Sequence, residues 1–342
     1  MSFKLREGDF IETFEGLIFD VKGLIHPPNR TIAFIRYFPE EKGERERKDK
    51  RYSKVYSLSK RYALLKMRFP QFLAYNPIFD ETLCEVPIDR VKNHYKPAEK
   101  LRELRGSNSL DMLESKALQL AKLLKETANI PWNAIGISGS IMVGLHKPSS
   151  DIDAIVYGSD NCRKVYSALR NLLSKKEGLF KPYTQRGLKN LFDFRIKDTI
   201  ISYEEFVRSE SGKVLQGKFL QTDYFIRFVK DWSEIAEKYG DVQYVNVGHV
   251  RIKATVVNDS ESIFTPCVYK IIDVRVLEGP QITPIEEIAS FRGRFCEQAR
   301  SGEVILARGK AERVMDNRQD RQYFRLLLGN KSSDYFITVT EP

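Results

Sequence analysis

Residues 137–153 read ISGSIMVGLHKPSSDID, and the interpretation of the whole chain starts from this stretch. Residues 133–138, NAIGIS, are mostly apolar and short, which is typical of a buried strand. SIMVGL at residues 140–145 predicts a helical turn, and DIDAIVYG at residues 151–158 predicts a second strand. The stretch therefore predicts a strand, a helical turn and a strand, with small and acidic residues where these elements meet.

Asp151 and Asp153 are separated by a single apolar residue in the second of these strands. Successive side chains of a strand point to opposite faces, so the two carboxylates share one face while Ile152 is directed into the core. Two carboxylates held this close raise each other's pKa unless a cation lies between them. Carboxylate oxygens suit Mg²⁺ or Mn²⁺, so the pair predicts a divalent metal site.

The other end of the stretch predicts an anion site. Gly139 allows the backbone to turn tightly after the first strand, and Ser140 begins a helical turn whose exposed N–H groups favour a phosphate. Gly144 leaves room for a ligand or a neighbouring strand to approach closely. A phosphate cradle followed by two metal-binding carboxylates predicts a site for a metal-bound nucleoside triphosphate (NTP).

The Gly-Ser pair, the ten residues after it and the Asp-Ile-Asp run together resemble the signature of the nucleotidyltransferase superfamily that includes DNA polymerase beta and the CCA-adding enzymes. The resemblance covers about residues 105–230, and the whole chain is similar to predicted archaeal nucleotidyltransferases with extra flanking domains. It implies two bound Mg²⁺ or Mn²⁺ ions, transfer of a nucleoside monophosphate from an NTP to a hydroxyl acceptor, and release of pyrophosphate. The nucleotide-binding residues that we carry over are Gly139, Ser140, Gly144, Lys147 and Ser150.

The resemblance also implies a third carboxylate, on a later strand, that completes the metal site with Asp151 and Asp153. Asp223 in LQTDYFIRFV is our choice, because an alternating apolar run follows it within the same α/β segment. Asp273 in VYKIIDVRVL and Asp193 in LFDFRI are the alternatives. Any one of these three could instead be a strand-end aspartate that makes a turn hydrogen bond.

Three regions that differ in their pattern of residue types predict three domains. Residues 1–98 carry β-branched and aromatic runs bounded by Gly and Pro, which predicts a β-rich domain. Residues 99–245 alternate helical and strand patterns and predict the catalytic domain. Residues 246–342 contain short, regularly spaced strand patterns and predict a small β-barrel or sandwich. The predicted fold class is therefore mixed α+β, with a central nucleotidyltransferase α/β domain, built on a mixed sheet, flanked by two β-rich domains.

Two segments in the later domains predict single strands. Residues 217–232, GKFLQTDYFIRFVKDW, contain the preferred third carboxylate within an apolar and aromatic run. Residues 290–297, SFRGRFCE, combine aromatic residues with arginines in the C-terminal domain. Residues 30–39, RTIAFIRYFP, predict a strand of the N-terminal domain in the same way.

The chain carries a formal net charge of +10, and much of the excess lies at residues 42–68. This basic segment contains 11 basic and 3 acidic residues, with Tyr52, Tyr56 and Tyr62 interleaved. Basic side chains can contact phosphates, and aromatic rings can stack on nucleobases. Their combination is typical of a surface that binds nucleic acid. A hairpin tip followed by an amphipathic helix explains the pattern equally well. If the segment binds nucleic acid, RNA or tRNA is the favoured acceptor.

Several classes of protein are disfavoured by composition. No stretch approaches the roughly 18 consecutive apolar residues of a membrane span, and the N-terminus lacks the apolar core of a signal peptide, so we expect a cytoplasmic protein without a membrane partner. The four cysteines are scattered and predict neither disulfides nor a zinc site. The alternative to an enzyme is a non-catalytic protein that binds NTP or nucleic acid with the same fold. The oligomeric state cannot be predicted.

Overall fold

The computed structural model describes residues 4–196 and 201–339, and its fold is mixed α+β with three sheets. Seven α-helices lie in the described part of the chain: α1 (Leu58–Arg68), α2 (Pro97–Gly106), α3 (Met112–Ala128), α4 (Gly139–Met142), α5 (Ser159–Leu173), α6 (Gln185–Arg195) and α7 (Tyr203–Glu210).

The first sheet is formed by eight strands from the N-terminal part of the chain: β1 (Phe10–Thr13), β2 (Ile18–Val21), β3 (Arg30–Pro39), β4 (Arg45–Arg47), β5 (Lys50–Lys54), β6 (Leu73–Asn76), β7 (Glu81–Pro87) and β8 (Val91–Tyr95). Their order is β4-β5-β3-β2-β1-β8, with β7 paired to β3 and β6 paired to β7. The strand predicted at residues 30–39 is confirmed by β3. The basic segment forms the β4–β5 hairpin and helix α1.

The two faces of this sheet have different partners. One face buries Ile11, Phe19 and Ile35 in the hydrophobic core of the N-terminal region. The other face packs against the stretch that contains the Gly-Ser motif. The buried side chains of this second cluster are Phe10, Ile18, Tyr37, Tyr52, Met142, Val143 and Leu145. The N-terminal sheet is therefore part of the environment of the motif.

The second sheet contains the motif itself. Its strands are β9 (Ile135–Ile137), β10 (Ile152–Tyr157), β11 (Phe180–Lys181), β12 (Gln216–Phe219) and β13 (Thr222–Val229). The order is β11-β12-β13-β10-β9, in which β10 is parallel to β13 and antiparallel to β9. The amphipathic helices α3 and α5 bury their apolar faces, including Leu120 and Leu169. The strand, helical turn and strand predicted around the motif are confirmed as β9, α4 and β10.

The prediction of one strand at residues 217–232 is wrong, because the segment forms the β12–β13 hairpin. Leu220 and Gln221 make the turn with positive φ angles of 47° and 66°. Neither residue type usually adopts that conformation, so the turn gives no local sequence signal.

The third sheet is formed by the C-terminal strands β14 (Val242–Glu261), β15 (Cys267–Glu278), β16 (Ile285–Ser290), β17 (Val304–Asp316), β18 (Arg321–Leu327) and β19 (Tyr335–Thr338). The order is β14-β15-β16-β18-β17-β19, and β14 also pairs with β17, so the sheet curves into a half-barrel. The strand predicted at residues 290–297 is wrong. β16 ends at Ser290, and Gly293–Phe295 form a 3₁₀ turn in which the Phe295 N–H donates to Arg292 O at 2.9 Å.

The chain divides into two compact units. The first consists of Met1–Ala74, Leu83–Pro182 and Val214–Ala236, and the second of Tyr75–Thr82, Tyr183–Lys213 and Glu237–Pro342. The motif, the second sheet and most of the first sheet belong to the first unit. The division into three domains at residues 1–98, 99–245 and 246–342 stays a prediction. Among the described residues, no helix is long and apolar enough to cross a membrane.

A buried charge cluster stabilises the half-barrel. Glu312 on β17 is 1% exposed and accepts hydrogen bonds from Lys310 Nζ at 2.7 Å and Arg325 Nε at 2.8 Å. Burial alone would raise the pKa of Glu312, but the charges of Arg325 and Lys310 outweigh burial and lower it. A carboxyl group with a depressed pKa in the folded state stabilises the fold at neutral pH, and this contribution is lost as the pH falls.

We predict that Glu312→Gln lowers the free energy of unfolding by about 3 kcal/mol at pH 7, because it leaves the buried Arg325 without its carboxylate partner and Lys310 with Glu81 as its remaining counterion. The difference from the wild type should shrink as the pH falls below 4.5, the ordinary pKa of the group, and through its lower folded-state value. Urea unfolding at several pH values measures this difference. Arg313→Gln, at an exposed position of the same strand, is the control and should have little effect. A pH-independent loss in Glu312→Gln would contradict the electrostatic explanation.

Candidate active site

The register of two parallel strands brings the predicted carboxylates together. Ile152 pairs with Tyr224 and Asp153 pairs with Phe225. The same register, continued one residue towards the start of each strand, aligns Asp151 with Asp223. Paired residues of neighbouring strands share a face, and Ile152 is fully buried on the opposite one. The three aspartates therefore occupy one face at the same end of β10 and β13.

The turn that precedes α4 fits closely around Asp153. The Ser138 N–H donates to the main-chain oxygen of Asp153 at 2.8 Å. Gly139 has a φ of +64°, and a Cβ atom built on it would lie only 2.0 Å from Asp153 Oδ2. Ser140 is 3% exposed, and its Oγ has no hydrogen-bond partner among the described residues. Glycine is therefore required at position 139, and the Ser140 hydroxyl remains available to a ligand.

The environment of Asp153 disfavours its negative charge. Its pKa is raised to about 7, first by burial and then by the neighbouring charge of Asp151. Lys54, Arg36 and Arg227 act in the opposite direction and lower this pKa. The pair is thus an acidic site that a further positive charge would stabilise.

Two arginines of the N-terminal sheet hold the loop between the motif elements. Arg45 donates to Leu145 O at 2.6 Å and lies 3.5 Å from Ser150 Oγ. Arg47 donates to Val143 O at 3.2 Å and also pairs with Glu12 at 2.7 Å. The sequence analysis missed this structural role of the basic segment. The only signal was the alternation of arginines at positions 45 and 47, which directs both side chains to one face of a strand.

The remaining predicted nucleotide-binding residues shape the same loop. Gly144 has a φ of +66°, and the Arg47 side chain packs 3.6 Å from the position of its missing Cβ. Ser150 Oγ accepts a hydrogen bond from the Lys147 N–H at 2.9 Å. Lys147 Nζ forms an ion pair with Glu44 at 2.9 Å. Lys147 and Ser150 are therefore engaged within the protein, whereas Ser140 Oγ is not.

The other basic residues of this segment differ in how exposed their side chains are. Arg61 is buried and donates to Tyr56 O at 3.1 Å. Lys54 is half-buried. Tyr52, one of the three interleaved tyrosines, is buried in the cluster that contacts the motif. The bases that remain exposed are Lys42, Lys48, Lys50, Arg51, Lys60, Lys66 and Arg68.

The three candidates for the third carboxylate lie in different surroundings. Asp223 is half-buried, and its Oδ2 accepts a hydrogen bond from Lys218 Nζ at 2.7 Å. Asp193 lies on helix α6 in the second unit, where it pairs with Lys189 at 3.0 Å. Asp273 is an exposed residue of β15 in the second unit, with a φ of +53°. Of the three, only Asp223 lies on the strand next to β10.

A small cleft opens beside Asp153 within the first unit. Its lining combines the Gly139 turn, the strand pair β10 and β13, and one face of the N-terminal sheet. The side chains that matter for its charge are Asp20, Arg36, Asp153 and Arg227. Asp20 forms an ion pair with Lys22 at 2.9 Å, and Arg227 pairs with Glu7.

A second acidic group lies at the start of helix α3. Ligand atoms of Asp111, Glu114 and His146 lie within 4.8 Å of one another among the described residues. Asp111 accepts from the Glu114 N–H at 2.9 Å in a capping box, and His146 Nε2 lies 2.6 Å from Asp111 Oδ2. These contacts explain the cluster as a helix cap that anchors the motif loop.

No protein-family model matches the chain. The chain is similar to the uncharacterized protein MJ1086 of Methanocaldococcus jannaschii, with 36% identity over 335 residues. The alignment covers 95% of this chain and 96% of that protein. The similarity therefore extends over the N-terminal sheet, the motif and the C-terminal half-barrel.

We predict that Gly139→Ala destabilises the first unit more than Gly144→Ala does. Both glycines have positive φ angles, for which an L residue costs about 1–2 kcal/mol. Only the methyl group at position 139 would also collide with the Asp153 carboxylate. Urea unfolding of the two variants isolates this collision, because the backbone strain is common to both. Equal losses in the two variants would contradict the close fit of Asp153 against the turn.

Proposed function

The chain belongs to the same family as the protein MJ1086 of Methanocaldococcus jannaschii, and we propose that it is a metal-dependent nucleotidyltransferase. In this proposal the protein joins a nucleoside monophosphate from an NTP to a hydroxyl acceptor and releases pyrophosphate. The observation that carries the proposal is the parallel pairing of β10 with β13, which aligns three aspartates on one face.

The donor set fits divalent metal ions. Asp151, Asp153 and Asp223 offer hard carboxylate oxygens, which suit Mg²⁺ or Mn²⁺. The raised pKa of Asp153 is the sign of a site that favours an added cation. Lys218 donates only to Asp223 Oδ2, so Asp223 Oδ1 can act as a ligand while this hydrogen bond is kept. When bound, two such ions would stabilise the charge of the leaving pyrophosphate and lower the pKa of the acceptor hydroxyl.

The Gly139 turn would hold the phosphates. Ser140 Oγ is buried without a hydrogen-bond partner in the described part of the chain, so its hydroxyl can donate to a phosphate oxygen. Gly139 keeps the backbone close to Asp153, which brings phosphate and metal ligands into one site. Gly144, Ser150 and Lys147 act through the shape of the loop rather than through direct contact.

The second sheet, with α3 and α5, is the proposed nucleotidyltransferase core. We propose that the N-terminal sheet and the C-terminal half-barrel, which we take for a small β-barrel, are the flanking domains. The favoured acceptor is RNA or tRNA, because exposed bases lie along the β4–β5 hairpin and α1. We propose that the protein acts in the cytoplasm.

A non-catalytic NTP- or nucleic-acid-binding protein is the second candidate. It is favoured by the ion pair between Asp223 and Lys218, which offsets the negative charge of one of the three carboxylates. In that case Asp151 and Asp153 alone would hold a metal–NTP complex, and no acceptor would react.

We expect the wild-type protein to transfer label from an α-labelled NTP to a macromolecule in pooled small RNAs with Mg²⁺ or Mn²⁺. Asp151→Asn/Asp153→Asn should abolish transfer, since losing ligands that bind the metal directly should exceed the roughly 10–100-fold effect of losing an outer partner. Asp160→Asn, an exposed position in the first turn of α5, is the control for the same type of substitution and should transfer normally.

The outcomes separate the two candidates. Transfer that survives in the double variant would refute the site. Wild-type binding of NTP without transfer, with every nucleotide and both metals, would favour the binding protein. Full activity of Asp223→Asn would refute the third carboxylate but leave the acidic pair in its role.

A further inference from the structure

One face of the N-terminal sheet carries cations towards the acidic pair because of a β-bulge. Phe19 of β2 pairs with Ile35, whereas the preceding residue, Ile18, pairs with Tyr37. Arg36 is therefore an extra residue in β3. A bulge re-aims side chains, and Arg36 lines the cleft beside Asp153.

Lys54 joins Arg36 on this face from the neighbouring strand. It pairs with Tyr37 in the register of β3 and β5, and Tyr37 packs against the motif stretch. Burial and the charge of Arg36 lower the pKa of Lys54 to about 8, while the charges of Asp151 and Asp153 act in the opposite direction. Two half-buried cations from adjacent strands thus lie near the two acids, although they also repel each other.

Neither cation makes a side-chain hydrogen bond within the described residues, whereas Arg45 and Arg61 of the same region donate to Leu145 O and Tyr56 O. Lys22 contacts the carboxylates of Glu7 and Asp20 at 2.9 Å each. By contrast, Arg36 Nε has no hydrogen-bond partner among the described residues, and it lies 3.8 Å from the Asp20 carboxylate, beyond hydrogen-bond range.

The ammonium group of Lys54 is similarly available to an anionic ligand. Its ammonium lies 4.8 Å from the centroid of the Tyr56 ring, and within the described residues it forms no ion pair. Keeping two poorly paired cations half-buried costs free energy, which an anionic ligand would offset. The charge of the proposed site agrees with this. Two divalent ions and three carboxylates together carry a net charge of only +1. This charge is too small to neutralise a triphosphate.

We propose that Arg36 and Lys54 bind the polyphosphate of the nucleotide whose metal the acidic pair holds. This inference rests on the proposed nucleotide site and extends it to residues outside the motif. The N-terminal sheet then supplies the cationic half of the site, and the second sheet supplies the metal-binding half. Both halves belong to the same compact unit.

The competing explanation is that Arg36 and Lys54 serve only as counterions of the acidic pair. The two explanations differ once the acids are neutral. We therefore choose Asp151→Asn/Asp153→Asn as the background and inorganic tripolyphosphate as the probe, with a chelator to remove metal ions. In this background the counterion role disappears, whereas a phosphate-binding role remains.

In titration calorimetry, Arg36→Met and Lys54→Met should each weaken tripolyphosphate binding by at least about tenfold, because each removes a charge-assisted contact. Lys54→Arg should retain most of the affinity. Lys92→Met, at an exposed position of strand β8 in the same sheet, is the control and should bind normally. Arg36→Met and Lys54→Met in the otherwise wild-type protein should also weaken binding of a non-hydrolysable NTP with Mg²⁺.

Unchanged affinity in Arg36→Met and Lys54→Met would overturn the inference. Failure of both the wild type and the Asp151→Asn/Asp153→Asn protein to bind any polyphosphate would also overturn it. If these substitutions have no effect but the wild type transfers label, the inference fails and the proposed function stands. If tripolyphosphate binding depends on both cations but no NTP is transferred, the phosphate site stands and the proposed reaction fails. Circular dichroism of each variant, together with the Lys54→Arg result, separates lost binding from lost folding.

Discussion

The approach of the Asp153 carboxylate to the backbone at Gly139 is the constraint on which the rest of the site depends. The contact leaves no room for a Cβ atom, and it joins the end of β9 to the start of β10. Because β10 is also parallel to β13, fixing Asp153 fixes the position of Asp151 and its alignment with Asp223. One glycine thus determines where three carboxylates and the Ser140 hydroxyl lie relative to each other.

An acidic pair in which Asp153 is half-buried needs compensation, and the N-terminal sheet provides it. The charges of Lys54 and Arg36 lower the pKa of Asp153 against the larger effect of burial. The same sheet holds the motif loop through Arg45 and Arg47. The N-terminal strands are therefore better understood as part of the site than as an independent attachment to it. This agrees with the membership of most of these strands in the same compact unit as the motif.

The sequence predicted those features that depend on neighbouring residues. β-branched and aromatic residues predicted β3, the run DIDAIVYG predicted β10, and the Gly-Ser pair predicted the turn before α4. The hairpin turn at Leu220 and Gln221 was missed because residues of these types rarely adopt positive φ angles. The bulge at Arg36 has no local signal either, since the extra residue is visible only in the pairing of β3 with β2.

Long-range contacts explain why the basic segment could not be understood from composition. Arg45 contacts a carbonyl oxygen 100 residues away, and no charge count distinguishes it from the exposed Lys50. The fold divides the bases of the segment into three groups with different consequences. Arg45 and Arg47 donate to carbonyl oxygens of the motif loop, and the buried Arg61 donates to Tyr56 O. Lys54 is half-buried and poorly paired beside the acids, and the exposed bases face solvent. Lys54 and the exposed basic residues retain their charge for a ligand. The half-buried Lys54 suits a small polyphosphate, and the exposed residues suit a large acceptor.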